Sequence, residues 1–92
     1  MSIITLKLTS GEELMGKFVE RDMVSITLED IKVVVPATDP DGSLSIRTFP
    51  WILTSMQAKQ AINKGFIVAE VPTDEKIAKQ YIQETSGILL FK

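Results

Sequence analysis

The chain contains neither cysteine nor histidine among its 92 residues. A disulfide framework is therefore excluded, and the usual ligands of a zinc or iron site are missing. The commonest catalytic bases and nucleophiles are missing too, and no spacing indicates a serine–lysine or two-carboxylate alternative. We predict a protein that is not an enzyme, has no cofactor and no metal, and resides in the cytoplasm.

Long apolar runs and an excess of positive charge are also lacking. No run approaches the roughly 20 residues of a membrane span, so we expect no membrane partner. Residues 1–8 alternate and include Lys7, which is not the pattern of a signal peptide. The net charge of −2 and the pI of about 5.0 argue against a protein that coats DNA indiscriminately, although a local basic face remains compatible with them.

What the chain does have is a globular balance of residues, with 45% hydrophobic and 24% charged. Its length predicts a single domain over residues 1–92. A domain this small buries only about two thirds of the surface that its unfolded chain exposes. Association with copies of itself is an obvious way to bury more.

The first third of the chain predicts strands that fold back on each other. Apolar residues alternate with polar ones, which is the period of a strand with one buried face (Ile4, Leu6, Leu8, then Val24, Ile26, Leu28). Gly11 lies in a turn, where glycine adopts positive φ without strain. Gly16 lies inside a strand, which indicates a bend, a bulge or the close approach of another backbone. The alternation slips at Glu29 and Asp30, which predicts a further bulge or break.

The middle of the chain is less regular. Pro36 has no N–H to donate and is expected to end its strand. Residues 37–42 form a loop, and Pro50 indicates a sheet edge or a strand end. Residues 54–64 are ambiguous between a helical turn and an irregular crossing, and residues 66–71 read as a last short strand.

A helix is predicted over residues 73–86, with Thr73 as its cap and Tyr81 packing it onto the sheet. The apolar residues 88–91, ILLF, are expected to cover the core or a neighbouring molecule. Short strands with a glycine bend favour a mainly β fold. We predict a small, five-stranded, strongly bent open barrel over about residues 2–71, followed by a C-terminal α-helix.

Residues 8–31, LTSGEELMGKFVERDMVSITLEDI, resemble the first motif of the Sm and Sm-like (LSm) proteins. The shared features are the turn glycine Gly11, the strand glycine Gly16, the reversal at Asp22 and a third strand that ends in Asp30. The second motif of the family has its nearest counterpart in residues 62–68, INKGFIV. The overall sequence pattern is similar to that of the divergent Sm-like proteins of bacteriophages.

The chain also departs from the family pattern. Asn63 and Lys64 stand where the family has arginine and glycine, and Ser25 is the nearest match to its base-reading asparagine. The family carries an N-terminal helix, whereas this chain begins with a strand. The same glycine pattern is compatible with an Sm-like barrel and with the wider class of SH3-like barrels.

The resemblance implies a homo-oligomeric ring, which we expect to hold about five to seven subunits. It also implies binding of RNA or single-stranded DNA through Asp22, Ser25, Asn63 and Lys64. In a phage-encoded protein, the location would be the host cytoplasm.

Each of these residues has a simpler explanation as well. Asp22 and Ser25 are common in hairpin turns, and Asn63 and Lys64 are good turn residues. Phe49 and Trp51 either stack on bases or, more commonly, fill a core or an interface. The second functional hypothesis is a protein–protein interaction or scaffold module of a phage, built on the same barrel. The negative net charge and the loss of the Arg–Gly pair favour it.

Overall fold

The computed structural model describes residues 2–86, which form one antiparallel sheet followed by an α-helix. The elements are β1 (Ile3–Leu8), β2 (Glu13–Arg21), β3 (Ser25–Thr38), β4 (Leu44–Pro50), β5 (Lys59–Asn63), a 3₁₀ turn (Lys64–Phe66), β6 (Ile67–Pro72) and α1 (Glu75–Ser86). The mainly β class and the C-terminal helix are confirmed. The expected strand count is wrong, because the described residues form six strands.

The long strand β3 organises the sheet. One of its edges pairs with β2, and its other edge is shared by two partners. Residues 25–29 pair with β5, and residues 32–38 pair with β4. The change of partner falls at Asp30, which has a φ of 54°. The predicted break at Glu29 and Asp30 is therefore confirmed, and the main path of the sheet runs β4-β3-β2-β1-β6.

Gly16 lies close to β3. A Cβ atom at this position would lie 3.1 Å from Leu28 Cβ and 3.3 Å from the Glu29 carbonyl oxygen. The register of the β2–β3 pairing shifts at this glycine, between Met15 and Lys17. The predicted close approach is confirmed, and Gly11 adopts the expected positive φ in its turn.

The prediction for Pro36 is wrong. β3 continues through it to Thr38, and Pro36 pairs with Ile46 of β4. The last β2 pairing of β3 is at Val34, so β3 has only one partner at Pro36. Proline is tolerated on such a free edge, because its missing N–H removes no ladder hydrogen bond there.

Apolar side chains cover both faces of the sheet. The larger cluster comprises Ile4, Leu6, Leu8, Leu14, Ile26, Leu28, Ile31 and Ile62. Trp51 packs against this cluster, as one of its predicted roles requires, whereas Phe49 is 51% exposed. The smaller cluster joins Ile3 and Met15 to Tyr81 of α1.

The helix is fixed to the sheet mainly by Tyr81, which is almost fully buried. Its hydroxyl lies within hydrogen-bond distance of the carbonyl oxygens of Glu29 and Asp30. The packing role predicted for Tyr81 is confirmed.

The predicted cap is wrong, because the carboxylate of Asp74 accepts from the Lys76 N–H at 3.1 Å. Thr73 Oγ1 instead lies 2.8 Å from Thr5 Oγ1. Residues 88–91 lie outside the described part of the chain. No helix within residues 2–86 is both long and apolar enough to span a membrane.

We predict that Gly16→Val destabilises the protein by about 1–3 kcal/mol, because the new side chain would overlap Leu28 and the β3 backbone. Urea unfolding followed by circular dichroism measures the change. Ala61→Val, at an exposed position of β5, is the matched control and should have little effect. Equal stability of the Gly16→Val variant and the wild type would contradict the close approach.

We predict that Tyr81→Phe lowers stability by about 1–2 kcal/mol, because the partly buried carbonyl groups of Glu29 and Asp30 lose the one hydroxyl donor that they share. Burial, followed by the charge of Asp30, raises the pKa of Tyr81 well above its ordinary value of 10.0. The contribution of the hydroxyl is therefore intact below about pH 10 and is lost as the pH rises toward the folded-state pKa. The difference in unfolding free energy between wild type and Tyr81→Phe should shrink above pH 10, and a constant difference would contradict this assignment.

Candidate nucleic-acid interface

The four residues predicted to contact nucleic acid lie at one end of the β3–β5 pair. Asp22 and Ser25 belong to the reversal between β2 and β3, and Asn63 and Lys64 belong to the end of β5 and the 3₁₀ turn that follows. Ser25 is directly opposite Asn63 in the sheet. The Lys64 N–H donates to the Val24 carbonyl oxygen at 2.8 Å and joins the two segments. Two parts of the chain that are about 40 residues apart in sequence thus form one surface.

Asp22 organises the first reversal through its carboxylate. Its Oδ1 accepts from the N–H groups of Val24 and Ser25, both at 2.8 Å, and from the Ser25 hydroxyl at 3.2 Å. The Val24 N–H, the Ser25 N–H and the Ser25 hydroxyl together lower the pKa of Asp22, and Lys64 adds a smaller effect of the same sign. The charged carboxylate therefore holds the turn at neutral pH.

Asn63 has the corresponding role in the second segment. Its Oδ1 accepts from the Gly65 N–H at 2.7 Å and caps the 3₁₀ turn. Asp22, Ser25 and Asn63 all make the local bonds that turn chemistry predicts. Lys64 differs from them, because none of the ion pairs within residues 2–86 involves its ammonium group.

A bidentate ion pair lies beside this surface. Arg21 donates to Glu70 through Nη1 at 3.2 Å and through Nη2 at 2.6 Å. The guanidinium also lies over the Phe18 ring, with 5.1 Å between Cζ and the ring centroid. The hydrogen bond between the two groups raises the pKa of Arg21 and lowers that of Glu70. Glu70 thus largely neutralises Arg21, and the positive charge of Lys64 also lowers the pKa of Glu70.

Sequence reasoning missed the apolar residues of this surface. Met23 is 94% exposed, Val24 is 64% exposed and Phe66 is 60% exposed. Met23 and Val24 form the tip of the first reversal, and Phe66 ends the 3₁₀ turn next to Lys64. The only feature of the sequence that indicates their exposure is that these apolar residues lie within segments rich in turn residues. Their exposure gives the surface apolar contacts as well as a charge.

The surface contains no evident metal site. No group of three or more acidic side chains that could hold a metal ion occurs in the described part of the chain. Neither a protein-family model nor a curated protein matches the sequence. The function therefore has to be argued from the geometry of the chain itself.

Proposed function

We propose that the chain is an Sm-like protein that assembles into a homo-oligomeric ring and binds RNA or single-stranded DNA. The observation that carries the proposal is the convergence of Asp22, Ser25, Asn63 and Lys64 on one surface. The sequence alone indicates these four residues, which belong to two segments about 40 residues apart. Such convergence is not expected if they are unrelated turn residues.

The order of the strands supports a strongly bent, open barrel. β1 lies between β2 and β6 in the sheet, and yet Arg21 at the end of β2 reaches Glu70 on β6. In a flat sheet this contact would have to cross the whole width of β1, about 10 Å between the outer strands. A curled sheet brings the two strands together across its concave side. The bulges at Gly16 and Asp30 supply that curvature.

The edges of the sheet support assembly with further copies. β4 and β6 end the main path of the sheet, and each has one edge without a partner strand among residues 2–86. Exposed apolar side chains lie on β4 (Leu44, Ile46, Phe49) and on β6 (Val68, Val71). Edges of this kind promote pairing with another chain. A ring satisfies both edges of every copy, because each subunit then uses one edge on each side.

A ring also compensates for the weak charge of a single site. At the candidate surface, each chain presents Lys64 next to the Asp22 carboxylate and the Arg21–Glu70 ion pair, which is too little positive charge for tight phosphate binding. Repetition of this site around an axis lets one strand of nucleic acid contact several copies. The second contact is then intramolecular, and avidity rises without further contacts in each chain.

A protein-interaction or scaffold role is the second candidate. It is favoured by the exposed apolar residues of the candidate surface, since Met23 and Val24 suit a protein partner as well as a base. The net charge of −2 also favours it. The two functions make opposite predictions for nucleic-acid binding.

We predict that the wild-type protein binds oligo-U, oligo-A or oligo-dT at low salt and that Lys64→Gln weakens this binding about three- to tenfold. The loss of one phosphate contact should also reduce the slope of log affinity against log salt by about one. Fluorescence anisotropy at two or more salt concentrations measures both effects. Lys76→Gln, on the exposed part of α1, is the matched control and should bind as the wild type does. Absence of wild-type binding at low salt would remove the nucleic-acid proposal and favour the scaffold role.

We predict that the protein is oligomeric in solution and that Ile46→Lys shifts it toward the monomer. A lysine at this position of β4 would place a charge in the proposed subunit interface. Gel filtration with light scattering gives the mass. Ile82→Lys, at an equally exposed position of α1, should leave the oligomer intact. A wild-type monomer would refute the ring.

A further inference from the structure

A groove lies between α1 and the part of the sheet formed by β3 and β4. Its volume is about 480 Å³, which is within the range of pockets that hold small ligands. Its lining includes the apolar side chains of Met15, Ile46 and Ile77, and it adjoins Tyr81, which fixes α1 to the sheet. The groove therefore offers an apolar surface beside the contact between helix and sheet.

The charged residues that line this groove carry a net positive charge, although the net charge of the chain is −2. Lys32 of β3 and Arg47 of β4 are cations, and Glu84 of α1 is an anion. The carboxylate of Glu84 accepts a hydrogen bond from the side-chain amide of Gln80 at 3.3 Å. The balance of charge in the groove thus favours a negatively charged ligand.

Lys32 is the residue that distinguishes this groove from a simple apolar cleft. It lies directly opposite Met15 in the β2–β3 ladder, so its side chain leaves the sheet on the face against which Tyr81 packs. It is half-buried, and none of the ion pairs within residues 2–86 involves its ammonium group. Arg47 is only loosely paired, since its Nη2 lies 3.9 Å from Asp39 Oδ1. A lysine that is partly withdrawn from water and has no counter-ion is stabilised when an anion binds beside it.

We propose that this groove binds an amphipathic anion, that is, a small molecule with an apolar or aromatic body and one phosphate, carboxylate or sulfonate group. The anionic group lies at Lys32, and the body lies against the apolar lining. Nucleotides and aliphatic acids share this chemistry. The residues of the candidate nucleic-acid interface (Asp22, Ser25, Asn63, Lys64) do not line the groove, so this proposal is tested separately from the proposed function.

Fluorescence titration with the aromatic sulfonate anilinonaphthalene sulfonate (ANS) tests the site. We expect saturable binding to the wild type, and Lys32→Gln should weaken it about three- to tenfold, because one charge-assisted contact is lost. Gln80→Trp, at an exposed position in the groove wall, should weaken it at least about tenfold, because the indole would fill space that the probe needs. Lys76→Gln and Lys76→Trp change an exposed position of α1 outside the groove, and both matched controls should bind ANS as the wild type does.

Competition on the wild-type protein tests the role of charge without any substitution. AMP or octanoate should displace ANS more strongly than its uncharged counterpart, adenosine or octanol. Stronger displacement by AMP would identify a nucleotide as the kind of ligand, and stronger displacement by octanoate would identify an aliphatic acid. Displacement by neither anion, equal displacement by an anion and its uncharged counterpart, or unchanged affinity of Lys32→Gln for ANS would overturn the proposal.

Discussion

The break in β3 at Asp30 is the constraint on which the rest of the molecule depends. A positive φ at an aspartate costs on the order of 1 kcal/mol, so the neighbouring groups must compensate for it. They do so from three directions. The Asp30 N–H donates to the Ala58 carbonyl, its carboxylate lies 3.0 Å from the Lys17 ammonium, and its carbonyl oxygen lies beside the Tyr81 hydroxyl. Asp30 therefore contacts β2, the β4–β5 connection and α1 at the same place in β3.

The β2–β3 ladder contains two register shifts, one between Met15 and Lys17 and one between Phe18 and Glu20, and the first of them coincides with this point. The register shift of β2 between Met15 and Lys17 lies opposite the break in β3. A Cβ atom at position 16 would lie 3.1 Å from Leu28 Cβ, so glycine permits this close approach of the two strands without displacing the neighbouring groups. Beyond the bend, β3 changes its second partner from β5 to β4. Because β5 pairs with the first part of β3, the end of β5, with Asn63 and Lys64, lies next to the reversal that contains Asp22.

Most local features of the fold could be predicted from the sequence, as could the packing of Tyr81 onto the sheet, but the pairing partners of the strands could not. Gly11, Gly16 and the slip at Asp30 are visible because backbone geometry restricts which residues fit there. Pro36 misled the prediction, because its effect depends on whether a partner strand lies on its N–H side, and sequence does not show this. β5 was missed because its alternation is short and its pairing with β3 spans more than 30 residues. The candidate site was predicted as four residues in two motifs, but only the register between β3 and β5 shows that they meet.

The way the site is built bears on what it could recognise. Asp22 and the side-chain oxygen of Asn63 already accept hydrogen bonds within their own turns, which leaves each of them fewer lone pairs for base edges. The apolar side chains of Met23, Val24 and Phe66 are exposed beside Lys64, whose ammonium group takes part in none of the ion pairs within residues 2–86. An ammonium recognises phosphate without regard to sequence, and apolar surfaces contact the faces of all bases. In the proposed nucleic-acid interface, this chemistry favours an unpaired strand over a particular sequence.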